Sequence, residues 1–300
     1  MKQNTIHHYA CPLCGCKDIK FEYKVRDYQV SQEYFEIWHC PTCGLKITQD
    51  APIPDRIEAY YISSAYLPHC DKTTPTGIAY KIARHLMTRM KLNLIHHYQP
   101  KPGTLIDVGA GSGYFMARAQ LQGWNVSGCE QSTEARKAAL VQWGLSIDGN
   151  VSSCHYPTAS ADVITAWHSI EHIHDQGELW QKFQHWLKDD GLLVIAVPNC
   201  LSTDALHYGA HWAAWDVPRH LWHFNSESIN RLASKHGFHL VATKTLPLDV
   251  FYIALLSERF RGNPFYHITA AAKGLGFSMQ SFNFANQCSS LIYLFKKKII

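Results

Sequence analysis

The residues best suited to chemistry fall into three groups, and the first is a set of four cysteines. Cys11-Pro-Leu-Cys14-Gly and Cys40-Pro-Thr-Cys43-Gly repeat one turn, separated by 25 residues. In each, the turn aims both sulfurs at one centre, and the glycine lets backbone amides approach the thiolates. Two such turns make a closed tetrahedral site of four thiolates, suited to zinc, with iron as the alternative. Because protein sulfur fills every coordination position, the metal is expected to be structural. A thioredoxin-like redox role needs a strand-to-helix setting that is missing here. Cys16 is read as a spare thiol.

The second group is a glycine-rich turn and an acid beyond it. Asp107-Val-Gly109-Ala110-Gly111-Ser-Gly113-Tyr114 follows the apolar run Thr104 to Val108. After the first strand of an open parallel sheet, such glycines let the backbone approach a nucleotide-like ligand. The dinucleotide fingerprint needs glycine where Tyr114 stands, and a phosphate loop needs a lysine after its last glycine. A carboxylate at Asp107 would repel a pyrophosphate and suits an α-amino group. Glu130 stands seventeen residues past Gly113, at the end of the next strand, where its oxygens can accept both hydroxyls of an adenosine ribose. One ligand carries an amino acid at one end and adenosine at the other: S-adenosylmethionine.

The third group is rich in histidine. His168-Ser-Ile-Glu171-His172 follows the strand Asp162 to Trp167, and the segment 198–225 carries His207, His211, Trp212, Trp215, Arg219, His220, Trp222 and His223. Methyl transfer is an in-line displacement, so a protein must align the acceptor and take its proton. Histidine is the suitable base near neutral pH, and His168 and His220 are the catalytic candidates. The spacing of His168 and His172 also spells the inverted zincin pattern. A second dication beside a sulfonium would be repelled, which argues against a protease; metal assistance through Glu171 and His172 stays an alternative.

These groups need elements to hold them. Phe21 to Tyr28 and Glu33 to Trp38 alternate like the hairpin of a zinc ribbon. Arg56 to Tyr61 and Thr76 to Tyr98 read as helices, the second through Ile78, Ile82, Leu86, Met90 and Leu94 in four-residue steps. Tyr60, Tyr61, Tyr66 and His69 lie at or between these helices and are candidates for covering the site. From Lys101, strands at 104–108, 125–129, 162–167, 192–197, 239–245 and 290–295 alternate with helices at 114–122, 133–143, 177–187 and 226–236. That alternation predicts an α/β fold with a doubly wound, mostly parallel Rossmann-like sheet and a small N-terminal zinc ribbon. The expected domains are a zinc ribbon over 1–52, a helical cap or linker over 53–100, and a ligand-binding domain over 101–300. Its insertion at 198–225 is read as a substrate cover, with packing of a long loop as the plainer reading.

The chain resembles the class I S-adenosylmethionine-dependent methyltransferases. Asp107 to Gly113 matches their first motif, Glu130 their ribose-binding acid, and Asp162 to His172 their fourth strand and following turn. It is most similar to bacterial small-molecule methyltransferases with an N-terminal zinc ribbon and a late segment like Trp215 to Phe224, and the likeness runs from about Cys11 to Phe260. The resemblance implies a cofactor site of Asp107, Gly109, Ala110, Gly111, Gly113, Tyr114, Phe115, Glu130, Gln131, Asn150, Trp167 and His168. Asn150 stands where such enzymes place an acid for the adenine amino group, with Asp148 as the alternative.

Composition bounds the partners. A chain of 300 residues with 46% hydrophobic content buries a sizeable core, which rules out disorder and fibrous repeats. With 17% charged residues and a net charge of +4, no polyanion-binding surface is indicated. Ten cysteines without an N-terminal apolar leader point to the cytoplasm, and no apolar run is long enough to span a membrane. The expected partner is a small-molecule methyl acceptor. An RNA methyltransferase that grips RNA through its ribbon is the alternative, and an inert cofactor-binding scaffold a third reading. Base amino methylation uses an Asn/Asp-Pro-Pro-aromatic turn, whereas this chain has Trp167-His168-Ser169-Ile170. Oligomeric state is not readable from the sequence.

Overall fold

A computed structural model describes residues 4–61, 75–283 and 285–298. Along the chain run strands β1 (Thr5–Ile6), β2 (Lys20–Arg26), β3 (Tyr34–His39), β4 (Lys46–Gln49) and β5 (Ala51–Pro52), then helices α1 (Pro54–Ile57) and α2 (Pro75–Tyr98). An alternating stretch follows: β6 (Thr104–Val108), α3 (Tyr114–Gln120), β7 (Asn125–Cys129), α4 (Thr133–Trp143), β8 (Ala161–Trp167), α5 (Gln176–Trp186) and β9 (Leu187–Pro198). The last part holds α6 (Thr203–Tyr208), β10 (Trp222–His223), α7 (Ser226–Lys235), β11 (Phe238–Thr245), α8 (Asp249–Phe260), α9 (Tyr266–Asn283) and β12 (Ser290–Lys297). Contacts divide these into two compact units. The first joins Met1–Pro68, Val197–Leu232 and Lys244–Ile292, and the second His69–Ala196, Ala233–Thr243 and Tyr293–Ile300.

In the first unit a four-stranded sheet runs β10-β4-β3-β2, with the expected hairpin formed by β2 and β3. Its core joins Val25, Phe35 and Ile37 of that hairpin to Tyr208, Trp212 and Trp215 of the segment 198–225 and to Ile253 and Ala254 of α8. Arg219, 1% exposed, clasps the hairpin turn to that segment. It donates to Asp27 Oδ1 at 3.0 Å, to Asp216 Oδ1 at 2.6 Å and to the Tyr60 carbonyl at 2.9 Å. A buried guanidinium is tolerated only when paired and bonded in this way. Tyr66 and His69 lie outside the described residues; Tyr60 is held by its hydroxyl, which donates to Glu33.

The second unit is built around the six-stranded, mostly parallel sheet, ordered β11-β12-β9-β8-β6-β7. Pairs β6–β7, β6–β8 and β8–β9 are parallel, and the α/β expectation holds. Past β7 a single parallel bridge, Cys129 to Asp148, takes the place of a further strand. Local signals fix α4: the Ser132 hydroxyl accepts the Ala135 N–H at its start, and Gly144 turns left-handed at its end. Strand β9 begins at Leu187, earlier than its apolar run, because polar Lys188–Asp190 extend it.

Two helices depart from the sequence pattern. On α2, Ile82 and Leu86 are 56% and 53% exposed, whereas Thr88, Leu92 and Ile95 are buried. Steps of four residues drift by about 40° each around a helix, so the expected stripe winds off the buried face. Helices α8 and α9 were not expected. On α9 the outward Ile268, Leu275 and Met279 are exposed, so no apolar–polar period marks it.

Candidate active site

The glycine turn leaves β6 at its carboxyl end. Gly109, Gly111 and Gly113 all have positive φ, at 78°, 54° and 74°. At Gly109 a Cβ would lie 2.3 Å from Ser169 Cβ, so only glycine lets the two loops pass. At Gly111 a Cβ would meet no heavy atom within 4 Å, so the turn faces open space there. The backbone is held by Gly109 and Ala110, whose N–H groups donate to the Cys129 carbonyl at 2.9 and 3.0 Å. Ala110 and Phe115 are buried beneath the turn, and the half-buried Tyr114 ring turns away toward Trp143, 5.7 Å between centroids.

Asp107 and Glu130 stand at the ends of the adjacent strands β6 and β7. Asp107 is 2% exposed, and its Oδ1 accepts the Thr165 hydroxyl at 2.6 Å. Burial pushes its carboxyl up to about 6, while the Thr165 bond and the charge of Lys91 pull the other way. Glu130 is half-buried and aimed by backbone amides. Gly111 N–H donates to its Oε2 at 2.9 Å and Ser132 N–H to its Oε1 at 2.8 Å. Each oxygen keeps a second lone pair for a ligand hydroxyl. Gln131 is exposed, and its carbonyl accepts from Arg136 at 2.8 Å. Asp148 and Asn150 are both exposed in the next turn. Asp148 Oδ2 accepts from Tyr156, and Asn150 Oδ1 accepts the Ser152 N–H at 3.1 Å, so either retains acceptor capacity.

At the end of β8, Trp167 packs edge-on against Phe115 at 5.4 Å, with the Lys91 ammonium 4.3 Å from its ring centre. His168 follows in a left-handed conformation, φ 52°, which a non-glycine residue adopts at a cost of about 1–3 kcal/mol. Its Nδ1 lies 3.6 Å from Oε1 of buried Glu171. The second unit therefore gathers Asp107, the glycine turn, Phe115, Glu130, Gln131, Asn150, Trp167 and His168 around the carboxyl ends of β6, β7 and β8.

The remaining candidates belong to the first unit. His220 is 9% exposed, and its Nδ1 lies 2.9 Å from the Ala214 carbonyl. A carbonyl only accepts, so Nδ1 carries a proton, while Nε2 lies 3.9 Å from Asp216 Oδ2. The Cys11, Cys14, Cys40 and Cys43 sulfurs all lie within 4.8 Å of one another. Cys11–Cys43 and Cys14–Cys40 are each 3.5 Å apart, near the roughly 3.8 Å edge of a tetrahedron of zinc–sulfur bonds. The two turns are alike: Gly15 N–H donates to the Cys11 carbonyl and Gly44 N–H to that of Cys40. Burial raises the Cys11 thiol to about 11.

A family model described as a methyltransferase domain matches residues 80–243, which contain the glycine turn, Glu130, His168 and His220. The chain belongs to this methyltransferase family. Two curated proteins of Actinobacillus pleuropneumoniae (serotypes 7 and 5b), both named ubiquinone biosynthesis O-methyltransferase, are 32% identical over 134 residues, covering 38% of this chain and 55% of theirs. The chain thus spans about half the length of the curated relatives it matches. Among solved structures, phosphoethanolamine N-methyltransferase 2 of Haemonchus contortus, in complex with S-adenosyl-L-methionine, superposes with a TM-score of 0.51 at 16% identity, over 91% of this chain and 71% of that one. The 1,6-didemethyltoxoflavin-N1-methyltransferase of Burkholderia thailandensis gives 0.50 at 16% identity, over 87% and 99%. These two likenesses are of fold.

The methyltransferase domain also uses residues the motifs did not single out. Thr165 pairs in register with Asp107 across β6 and β8, and a lone hydroxyl inside a buried strand is the signal that could have found it. Ser169 donates from its hydroxyl to the Val108 carbonyl at 2.7 Å, and Arg136 to the Glu130 carbonyl at 2.6 Å.

Proposed function

We propose that the protein transfers a methyl group from S-adenosylmethionine to an oxygen, nitrogen or carbon atom of a small acceptor molecule. The observation that carries this reading is the open backbone at Gly111 between two acids of different surroundings, Asp107 buried and Glu130 half-buried. A ligand with an ammonium at one end and a ribose diol at the other matches both. Asp107 Oδ2 would take the ammonium, Glu130 the diol, and Asn150 or Asp148 the adenine amino group. When bound, the cofactor supplies a methyl carbon made electrophilic by its sulfonium.

The chain's own work is alignment and proton removal. Trp167 and His168 approach from the end of β8. With Nδ1 of His168 3.6 Å from Glu171 Oε1, Nε2 is the atom assigned as the base. His220 is the second candidate, with its tautomer set by Ala214. We also assign one structural zinc to Cys11, Cys14, Cys40 and Cys43, on their sulfur spacing. Segment 198–225 begins where β9 ends, at the ligand edge of a parallel sheet, and acceptor recognition is assigned to it on that connectivity.

The test is calorimetry with S-adenosylmethionine and its demethylated product, then turnover of a tritiated methyl donor with a panel of small acceptors. Hydroxyl-bearing acceptors come first, because the curated relatives are named O-methyltransferases. Failure of both ligands to bind the purified protein would end the proposal.

A further inference from the structure

We propose that the outward face of α9 is a dimerisation surface, on which a second copy of the chain docks its own α9 antiparallel across a twofold axis. The opposite side of the helix is tied to α8. Lys273 donates to buried Glu258 at 2.6 Å, and Gly274 lies so near Phe251 that a Cβ would stand 2.6 Å from that ring's Cδ1. Outward, Ile268, Leu275 and Met279 are 73%, 58% and 69% exposed, and Phe265, just before the helix, is 68% exposed. No Asp, Glu, Lys or Arg stands at an exposed position of α9 over 266–280. The face is thus apolar and uncharged.

The order of sizes along this face selects the occupant. Phe265, Ile268, Ala272, Leu275 and Met279 follow steps of three, four, three and four residues, the spacing of a seam between two helices. Large, large, small, large, large reads the same in either direction about exposed Ala272. A twofold axis beside Ala272 sets Phe265 of one copy against Met279 of the other, and Ile268 against Leu275, while the two alanines let the backbones approach. An uncharged face also meets its own copy without like-charge repulsion. A lipid surface asks for no such symmetry, and a helix lying in a membrane interface is rich in Lys and Arg, whereas α9 has Lys273 alone, held by Glu258. Four large apolar side chains this exposed offer roughly 400 Å², about half of the area that each partner of a standard interface buries, and suited to its apolar core. On the inner side Phe277 packs on Tyr208 of segment 198–225, 6.0 Å between ring centroids, so paired α9 helices would brace that segment in both copies.

Sedimentation equilibrium of the full-length protein should approach twice the 34.1 kDa chain mass as concentration rises through the micromolar range. Leu275→Glu should weaken association at least about 100-fold, because the axis brings in two unpaired carboxylates at once. Its circular dichroism and thermal midpoint should stay native, since the position is exposed. The double variant Ile268→Lys/Leu275→Glu should dimerise more tightly than either single variant, because antiparallel pairing sets each introduced cation against the other copy's introduced carboxylate. Val141→Glu, at an exposed apolar position of α4, should leave association unchanged. Several outcomes overturn the proposal: a native protein that stays at the chain mass, a Leu275→Glu protein that still doubles it, equal loss in Val141→Glu, or a double variant no tighter than the weaker single one. A native monomer that sediments with phosphatidylglycerol vesicles, and loses this in Leu275→Glu, would make the face a membrane surface instead.

Discussion

Asp107 links donor binding to pH. Its carboxyl, raised to about 6 by burial against an ordinary 3.8, holds a proton more tightly folded than unfolded. The folded state therefore gains from this group below about pH 4 and loses that gain as pH rises toward 6. Donor affinity runs the other way, since an ammonium needs the ionised acid. Calorimetry from pH 5 to 7.5 should show affinity falling as pH drops below about 6, by up to about tenfold per unit, with the slope absent in Asp107→Asn. A flat native profile would remove Asp107 from the amino-group role. His168→Ala or His220→Ala, whichever is the base, should lower turnover about 100-fold to 10,000-fold while leaving donor affinity nearly unchanged. Native turnover in both variants would make alignment the whole mechanism. At this scale the sequence was informative about position where one motif carries it, as with Glu130, which stands at the end of β7 beside the glycine turn. It was silent where roles depend on a partner far along the chain, as with Thr165 and Asp107, 58 positions apart.

Among the elements, the segment 198–225 shows how much an aromatic pattern leaves open. Its tryptophans marked it as unusual, but their partners were not legible. Trp212 and Trp215, 2% and 1% exposed, pack with the β2–β3 hairpin and α8, which no local pattern connects. The Arg219 clasp is equally non-local. Arg219→Ala would leave the Asp27 and Asp216 carboxylates without their shared cation, and should lower stability by about 3–5 kcal/mol in urea unfolding. Arg219→Lys should restore little, because a point charge cannot serve Asp27, Asp216 and the Tyr60 carbonyl together. A loss under about 1 kcal/mol for the alanine variant would show that water reaches these acids. Helix α2 shows the complementary case: its apolar residues were legible and their direction was not, because a four-residue step does not keep to one side of a helix.

For the whole molecule, the alternating pattern from Lys101 foretold the sheet and its mostly parallel character. Which distant stretches return to one unit was not encoded locally, since each unit draws on three separate parts of the chain. The four-cysteine centre belongs to the first unit, whose sheet has only short strands, so metal should matter to its folding. Elemental analysis should find about one zinc per chain. Chelation, or Cys40→Ser, should release it and lower the unfolding midpoint of the protein. A Cys40→Ser protein with full metal content and native stability would show that the four sulfurs do not form one site.

The order β11-β12-β9 has a consequence for biosynthesis. On the ribosome, Ser290–Lys297 emerges after the other described strands of this sheet, yet its place is in the interior, between two strands made earlier. Until it arrives, β9 and β11 each present an unpaired edge, and edges of this kind recruit foreign strands. The nascent chain is thus exposed to aggregation until this strand is released, and the steps that complete the sheet wait for it.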